Sequence, residues 1–510
     1  MTTKRLIVSA VLMGIFTIAS GQYKTGEAPQ PQADTSKVVI TLDDALKIAL
    51  SENVAVKVAD KEIERSEYAK KGTYSSLFPQ VTGSGSYQRT IKKQIMYMDS
   101  DSGGKDGEEG GGGFGMLSSL APYFVRINEL SAMQGMPLII PGESDSSSSN
   151  SGFAVGRWNT YNAGVSAALP LVNAQLWESL KISGQAVDLA VEKARSSRLD
   201  MVTQVKQAYY AVLLAKEAFN VYKEVYENAV ENFVQTEKRY NAEKASELEY
   251  TRAKSVVAGA IPNVYNAESS VMLALWQLKA VMGVDLDRNI DVAGSLEDYS
   301  TQMFRDIHDN SEPSLDYNTN LRQLEMQADQ LASTIKMYKA AYLPTLSAAF
   351  SYSMIAMTND FKFSEYKWSP YSYVGLSLNI PIFTGFKRHY DVKQAKVQAV
   401  ELDLQRIETE RQLRIAIRQY LNTMETSMNS YNAAAEAVGL ARKAYDIAAK
   451  SYKIGKGTIT EMNDAQLTLT QASLQQSQAI YNFIVAKSNL EKTIGGDFID
   501  ESGEVDLENM

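Results

Sequence analysis

A chain of 510 residues with 45% hydrophobic content and no cysteine has ample material for a large folded body held by packing alone. Its formal net charge of −9 argues against a nucleic-acid partner. The lack of cysteine excludes disulfides and an N-terminal lipid-bearing cysteine.

The first segment reads as a secretory signal peptide over residues 1–21. Lys4 and Arg5 precede an apolar run from Leu6 to Ile18, followed by the small residues Ala19, Ser20 and Gly21. Export also argues against nucleic acid. No later stretch holds 18 consecutive apolar residues, so a membrane role would fall to β-strands.

A helix is expected from Leu42 to Leu77, then a strand through Val81–Tyr87, then a Gly/Ser/Asp-rich insert over 91–155. That insert reads as an enlarged, mobile, extracellular loop. A second strand holds Tyr161, Ala163, Val165, Ala167 and Leu169 on one face. A long helix then runs from Pro170 to Tyr240. Its apolar and small residues recur in steps of three and four, through Val191, Ala194, Met201, Val205, Ala208 and Val212 to Tyr240; only Arg198 and Thr236 are polar on that ladder. Such a seam means coiled coil, and at about 1.5 Å per residue the helix spans roughly 105 Å, too long for a globular core. A tip turn leads into a return helix over Glu247–Met282. An irregular stretch, expected to form part of a belt, precedes a helix over Leu315–Tyr342.

Two more strands follow. The first puts Leu346, Ala348, Phe350, Tyr352, Met354 and Ala356 on one face and small polar residues on the other; the second sets Val374, Leu376, Leu378 and Ile380 against Tyr373, Gly375, Ser377 and Asn379. Trp158, Tyr352, Tyr366, Trp368 and Tyr371 sit where an aromatic girdle belongs. A second long helix carries the same ladder from Leu413 to Tyr452. After a second tip, a return helix runs from Thr460 to Ile494.

The halves repeat each other. "YNAEKASELEYTRAK" from Tyr240 falls on "YKIGKGTITEMNDAQ" from Tyr452, and "LKAVMGVDL" from Leu278 falls on "LEKTIGGDF" from Leu490. This gives a first repeat over 22–288 and a second over 289–510, each one long helix beside two short ones stacked end to end. Four strands per chain cannot close a barrel, and lipid tolerates no open sheet edge. Chains must therefore pool strands: two chains give eight, a barrel filled by side chains, whereas three give twelve and room for water. Four chains also satisfy this arithmetic.

Those residues, with "PIFTGFKR" from Pro381 and a proline before each long helix, resemble the TolC-like outer-membrane efflux proteins over essentially the whole mature chain. The resemblance implies a mixed fold: a homotrimeric, twelve-stranded β-barrel among outer-membrane lipids, continued by an α-helical coiled-coil barrel through the periplasm. It also implies that substrates arrive from an inner-membrane transporter through a periplasmic adaptor docked on the tips, here Glu243, Lys244, Ala245 and Ser246 and Gly455, Lys456, Gly457 and Thr458. Glu243 occupies the place of the usual tip glycine, which Gly455 keeps.

Two readings stand for the acids beyond the second tip. Glu461 completes an S/T-x-x-E capping box with Thr458, as Glu249 does with Ser246; Asp464 suits the positive start of a helix. By the resemblance, both acids project inward and narrow a closed channel, giving rings of three carboxylates under threefold symmetry. His308 and His389 stand far apart with no ligand pattern, so no metal or other cofactor is expected. No Ser-His-Asp set or P-loop appears, and no enzyme is read. The alternative from another class is an exported coiled-coil scaffold or adhesin whose Gly/Ser insert is a surface-binding loop.

Overall fold

The computed structural model describes residues 37–96, 153–303 and 314–496. The signal peptide, most of the insert, His308 and the C-terminal tail lie outside the described residues. The helices are α1 (Leu42–Glu52), α2 (Val54–Ser75), α3 (Ala174–Asn241), α4 (Glu247–Met282), α5 (Ser300–Met303), α6 (Thr319–Ala340), α7 (Lys387–Lys453) and α8 (Ile459–Ile494). The strands are β1 (Val38–Ile40), β2 (Gln80–Arg89), β3 (Gln94–Met96), β4 (Phe153–Val155), β5 (Asn159–Val172), β6 (Ile290–Val292), β7 (Thr345–Thr358) and β8 (Ser369–Asn379). Among the described residues no helix is long and apolar enough to cross a membrane.

Contacts divide the chain into two compact units, each drawing segments from both sequence halves. One holds β1, α1, most of α3, α4, β6, α5, the end of α7 and most of α8. Thr41 starts α1 with a capping box to Asp44. β1 pairs in parallel with β6, Val38 opposite Ile290, so the stretch expected to be irregular holds a short ladder. Tyr209 of α3 fixes that ladder, its hydroxyl donating to the carbonyls of Ala293 (2.6 Å) and Ile40 (3.3 Å). Asp291 accepts from Lys37 at 2.8 Å and Lys216 at 2.5 Å. Burial alone would raise the Asp291 pKa; the hydrogen bonds from Lys216 and Lys37 outweigh it and hold the carboxyl below its ordinary range.

The other unit holds α2, the start of α3, α6, most of α7, the end of α8 and a four-stranded antiparallel sheet of order β2-β5-β7-β8. Arg198, polar on the predicted ladder, reaches Asp60 at 2.9 Å. Buried Glu192 lies between Arg195 and Arg322, and burial still pushes its pKa up. Asn318 caps α6 by accepting from the amides of Asn320 and Leu321, while its own amide donates to the Thr493 carbonyl at 2.7 Å.

Three expected boundaries change. The helix from Leu42 to Leu77 is two helices, because Asn53 takes an extended conformation (φ −64°, ψ 132°) and its side-chain amide donates to the Val281 carbonyl at 2.6 Å. Pro170 does not open the long helix: it lies in β5, where the register shifts between Pro170 and Val172, and the helix begins at Ala174. The helix expected over Leu315–Tyr342 is shorter, because Asn318 caps it. The ladders themselves are buried or half-buried, apart from the exposed Val191 and Tyr240.

Candidate functional site

Both tips turn in one unit, and they turn alike. At the end of α3, Glu243 adopts φ +55°; its N–H donates to the Tyr240 carbonyl at 2.9 Å, and the Lys244 N–H donates to the Arg239 carbonyl at 2.7 Å. At the end of α7, Gly455 adopts φ +76°, its N–H donating to Tyr452 (3.0 Å) and that of Lys456 to Ser451 (2.9 Å). These are two Schellman turns, which satisfy the last carbonyls of a helix through one left-handed residue. Gly457 is required by close approach instead, since a Cβ there would lie 3.0 Å from the Cβ of Ser451 and 3.2 Å from the Tyr452 nitrogen.

Each return helix opens on a capping box. Ser246 Oγ accepts from the Glu249 amide and Glu249 Oε2 accepts from the Ser246 amide, both at 3.2 Å. Thr458 Oγ1 accepts from the Glu461 amide at 3.2 Å, and Glu461 Oε2 accepts from the Thr458 amide at 3.0 Å. Glu461 is thus engaged by its own helix start. Asp464, one turn further and exposed, accepts through its backbone carbonyl from the Thr468 hydroxyl at 2.8 Å. The two acids share an exposed face with Leu467, Thr468 and Gln471.

The two turns are fastened together by residues that sequence reasoning missed. The Tyr452 hydroxyl meets Thr236 Oγ1 at 2.6 Å in a buried contact; Arg239 stacks 5.2 Å from the Tyr452 ring centroid and donates to its carbonyl at 3.3 Å. Arg252 donates to Thr460 Oγ1 at 3.4 Å. Beneath them Ala253, Tyr452, Ile459 and Met462 form a buried cluster. The one advance signal was Thr236, a polar residue on an otherwise apolar ladder. Of the docking residues, Glu243, Lys244, Ser246, Gly455, Lys456 and Thr458 are exposed and Ala245 and Gly457 half-buried.

The four-stranded sheet brings the predicted faces into register. Val81 lies opposite Ala167, Ala167 opposite Phe350 and Phe350 opposite Val374, an apolar row across all four strands. The adjacent row reads Thr82, Ser166, Ser351 and Tyr373, with Thr82 and Ser166 hydroxyls 2.9 Å apart. On the apolar face Val374 and Leu376 are 79% and 71% exposed, which no water-facing sheet needs. Two girdle residues sit elsewhere than expected: Tyr352 is mid-strand opposite Val165 and Ser372, and Tyr371 shares the small polar row with Ser353. The outer edges of β2 and β8 pair with no strand among the described residues.

The family model described as "Outer membrane efflux protein" matches residues 142–284 and 311–496. The chain belongs to that family. This outer-membrane efflux protein is 22% identical over 345 residues to the outer membrane protein TolC of Escherichia coli K12, a match covering 66% of this chain and 70% of that protein. To TolC of Vibrio cholerae it is 20% identical over 336 residues, covering 66% and 76%. Its fold is also that of the Campylobacter jejuni CmeC outer membrane channel (TM-score 0.64, 17% identity, 91% of this chain and 86% of that one). The open Neisseria gonorrhoeae MtrE outer membrane channel is similar too (0.62, 17%, 89% of each). The efflux protein is therefore a TolC-like chain of the outer membrane.

Proposed function

We propose that this efflux protein is a passive conduit, not an enzyme. Three copies pool their sheets into one twelve-stranded barrel, and the long helices continue the same passage through the periplasm. The carrying observation is the sheet: four strands with one apolar and one small polar face in register, and two edges that lipid cannot leave bare. A second support is the apolar stripe Val397, Val400, Leu404 and Ile407 on α7, exposed at steps of three and four as a helix awaiting another copy would be. The near-identical tip turns support reading the chain as a tandem repeat, 22–288 followed by 289–510. A scaffold or adhesin has no need of matched lipid and water faces.

In this reading the tips, Glu243 to Ser246 and Gly455 to Thr458, receive a periplasmic adaptor that delivers cargo from an inner-membrane transporter. Glu461 and Asp464 narrow the closed end. Threefold symmetry sets three Asp464 carboxylates around one axis; at about 6 Å and an effective dielectric near 20, each pair repels by roughly 3 kcal/mol, so the ring recruits cations.

Single-channel recording in planar bilayers tests both levels. The purified protein should conduct, and a trivalent cation added from the tip side should block it. Glu461→Ala combined with Asp464→Asn should abolish most of that block. A silent protein would contradict the conduit, and unchanged block in the double variant would leave Glu461 as a cap alone.

A further inference from the structure

One end of the sheet runs directly into helices. At the other, Arg89, Asn159, Thr358 and Ser369 mark a rim whose chemistry the conduit does not use. The segment between β7 and β8 is fastened across the apolar face there. Asn159, almost fully buried, accepts from the Tyr87 hydroxyl at 2.9 Å and donates to the Asp360 carbonyl at 3.2 Å. The Tyr366 hydroxyl donates to that same carbonyl at 3.0 Å, and the Trp158 amide donates to Asn359 Oδ1 at 3.2 Å. The result is a fixed aromatic platform: Tyr161 packs on Tyr87, Phe363 and Tyr366 with centroids 4.9, 5.1 and 5.3 Å away.

Cations border this platform. Arg89 lies 5.6 Å from the Phe361 ring centroid and the Lys93 amine 5.0 Å from that of Trp158. Lys92, Arg157, Lys362 and Lys367 are exposed nearby in sequence, whereas the same described segments hold only the acids Asp360 and Glu365. On a chain of net charge −9 this is a local reversal. Asp360 is occupied, its carboxylate accepting from Thr358 Oγ1 at 2.5 Å. A guanidinium over a ring keeps its charge and its in-plane N–H donors, which match phosphate oxygens. Yet a free phosphate has no use for Phe361 and Phe363, both more than half exposed, or for the bare apolar rows along the strands.

We propose that the rim binds a phosphorylated lipid of the outer leaflet, its phosphates on Arg89 and Lys93 and its acyl chains along the face of Ala163, Val165 and Tyr352. This rests on the reading that the sheet spans the membrane. Basic residues at a membrane surface each add measurably to anionic-lipid affinity, and tryptophan favours that interface.

The test titrates detergent-solubilised full-length protein with bis-phosphorylated lipid A, following fluorescence of Trp158 and Trp368 after Trp177→Phe and Trp276→Phe. Arg89→Gln with Lys93→Gln should weaken binding about tenfold or more. Removing both phosphates from the lipid should do the same, and Arg89→Lys with Lys93→Arg should restore most of the affinity. Inorganic phosphate in hundredfold excess should not compete. Equal binding of dephosphorylated lipid, displacement by inorganic phosphate, or an unaffected double Gln variant would each overturn the proposal. The same preparation goes into planar bilayers. A conducting protein that fails these titrations sinks the lipid site alone, whereas a silent one removes the membrane-spanning reading and the lipid site with it.

Discussion

At Glu243 a glutamate fills the left-handed position that Gly455 fills in the other turn, with φ +55° against +76°. A left-handed side-chain-bearing residue costs roughly 1 kcal/mol, so Glu243→Gly should stabilise the protein by about 0.5–1 kcal/mol, and Gly455→Ala should destabilise it by a similar amount. Chemical denaturation of the two variants checks both signs. Asp291 supplies a pH signature. Its folded pKa lies below the unfolded value, so its contribution is complete above about pH 4 and is lost as pH falls through the folded value. Asp291→Asn should lower stability at neutral pH and flatten that acid limb of a denaturation profile. The residues legible in the sequence were those acting locally: Gly455 as a turn, and Thr458 with Glu461 and Ser246 with Glu249 as caps. Arg239 on Tyr452 and Lys216 on Asp291 were not, because each pairing joins residues far apart in sequence with no motif between them.

At the scale of elements, periodicity carried most of the fold. Alternation set both faces of all four strands, and the cross-strand register agrees row by row because a one-residue slip would invert every side chain. The three-and-four ladder marked the packed side of α3 and α7 because burial must follow the helical repeat. What periodicity missed were interruptions made by tertiary contacts, such as Asn53 breaking α1 from α2 to reach the Val281 carbonyl. The strand faces yield a paired prediction. Val374→Arg, on the apolar face at mid-strand, should cost about 2–4 kcal/mol in refolding titrations with phospholipid vesicles, whereas Ser377→Arg on the small polar face should cost much less. Equal costs would mean that the faces do not look onto different solvents.

For the whole molecule, the proposed pooling of copies draws on a four-stranded sheet whose two edges pair with no strand among the described residues and on the exposed stripe on α7. The sequence pointed to pooling through strand count, a property of lipid as a solvent. It contains no comparable local signal for how many chains pool, because that number is set by the angle at which edges meet. Native mass spectrometry of the protein extracted in mild detergent tests this most directly. The account predicts a single dominant species of three chains; a stable monomer under the same conditions would contradict it.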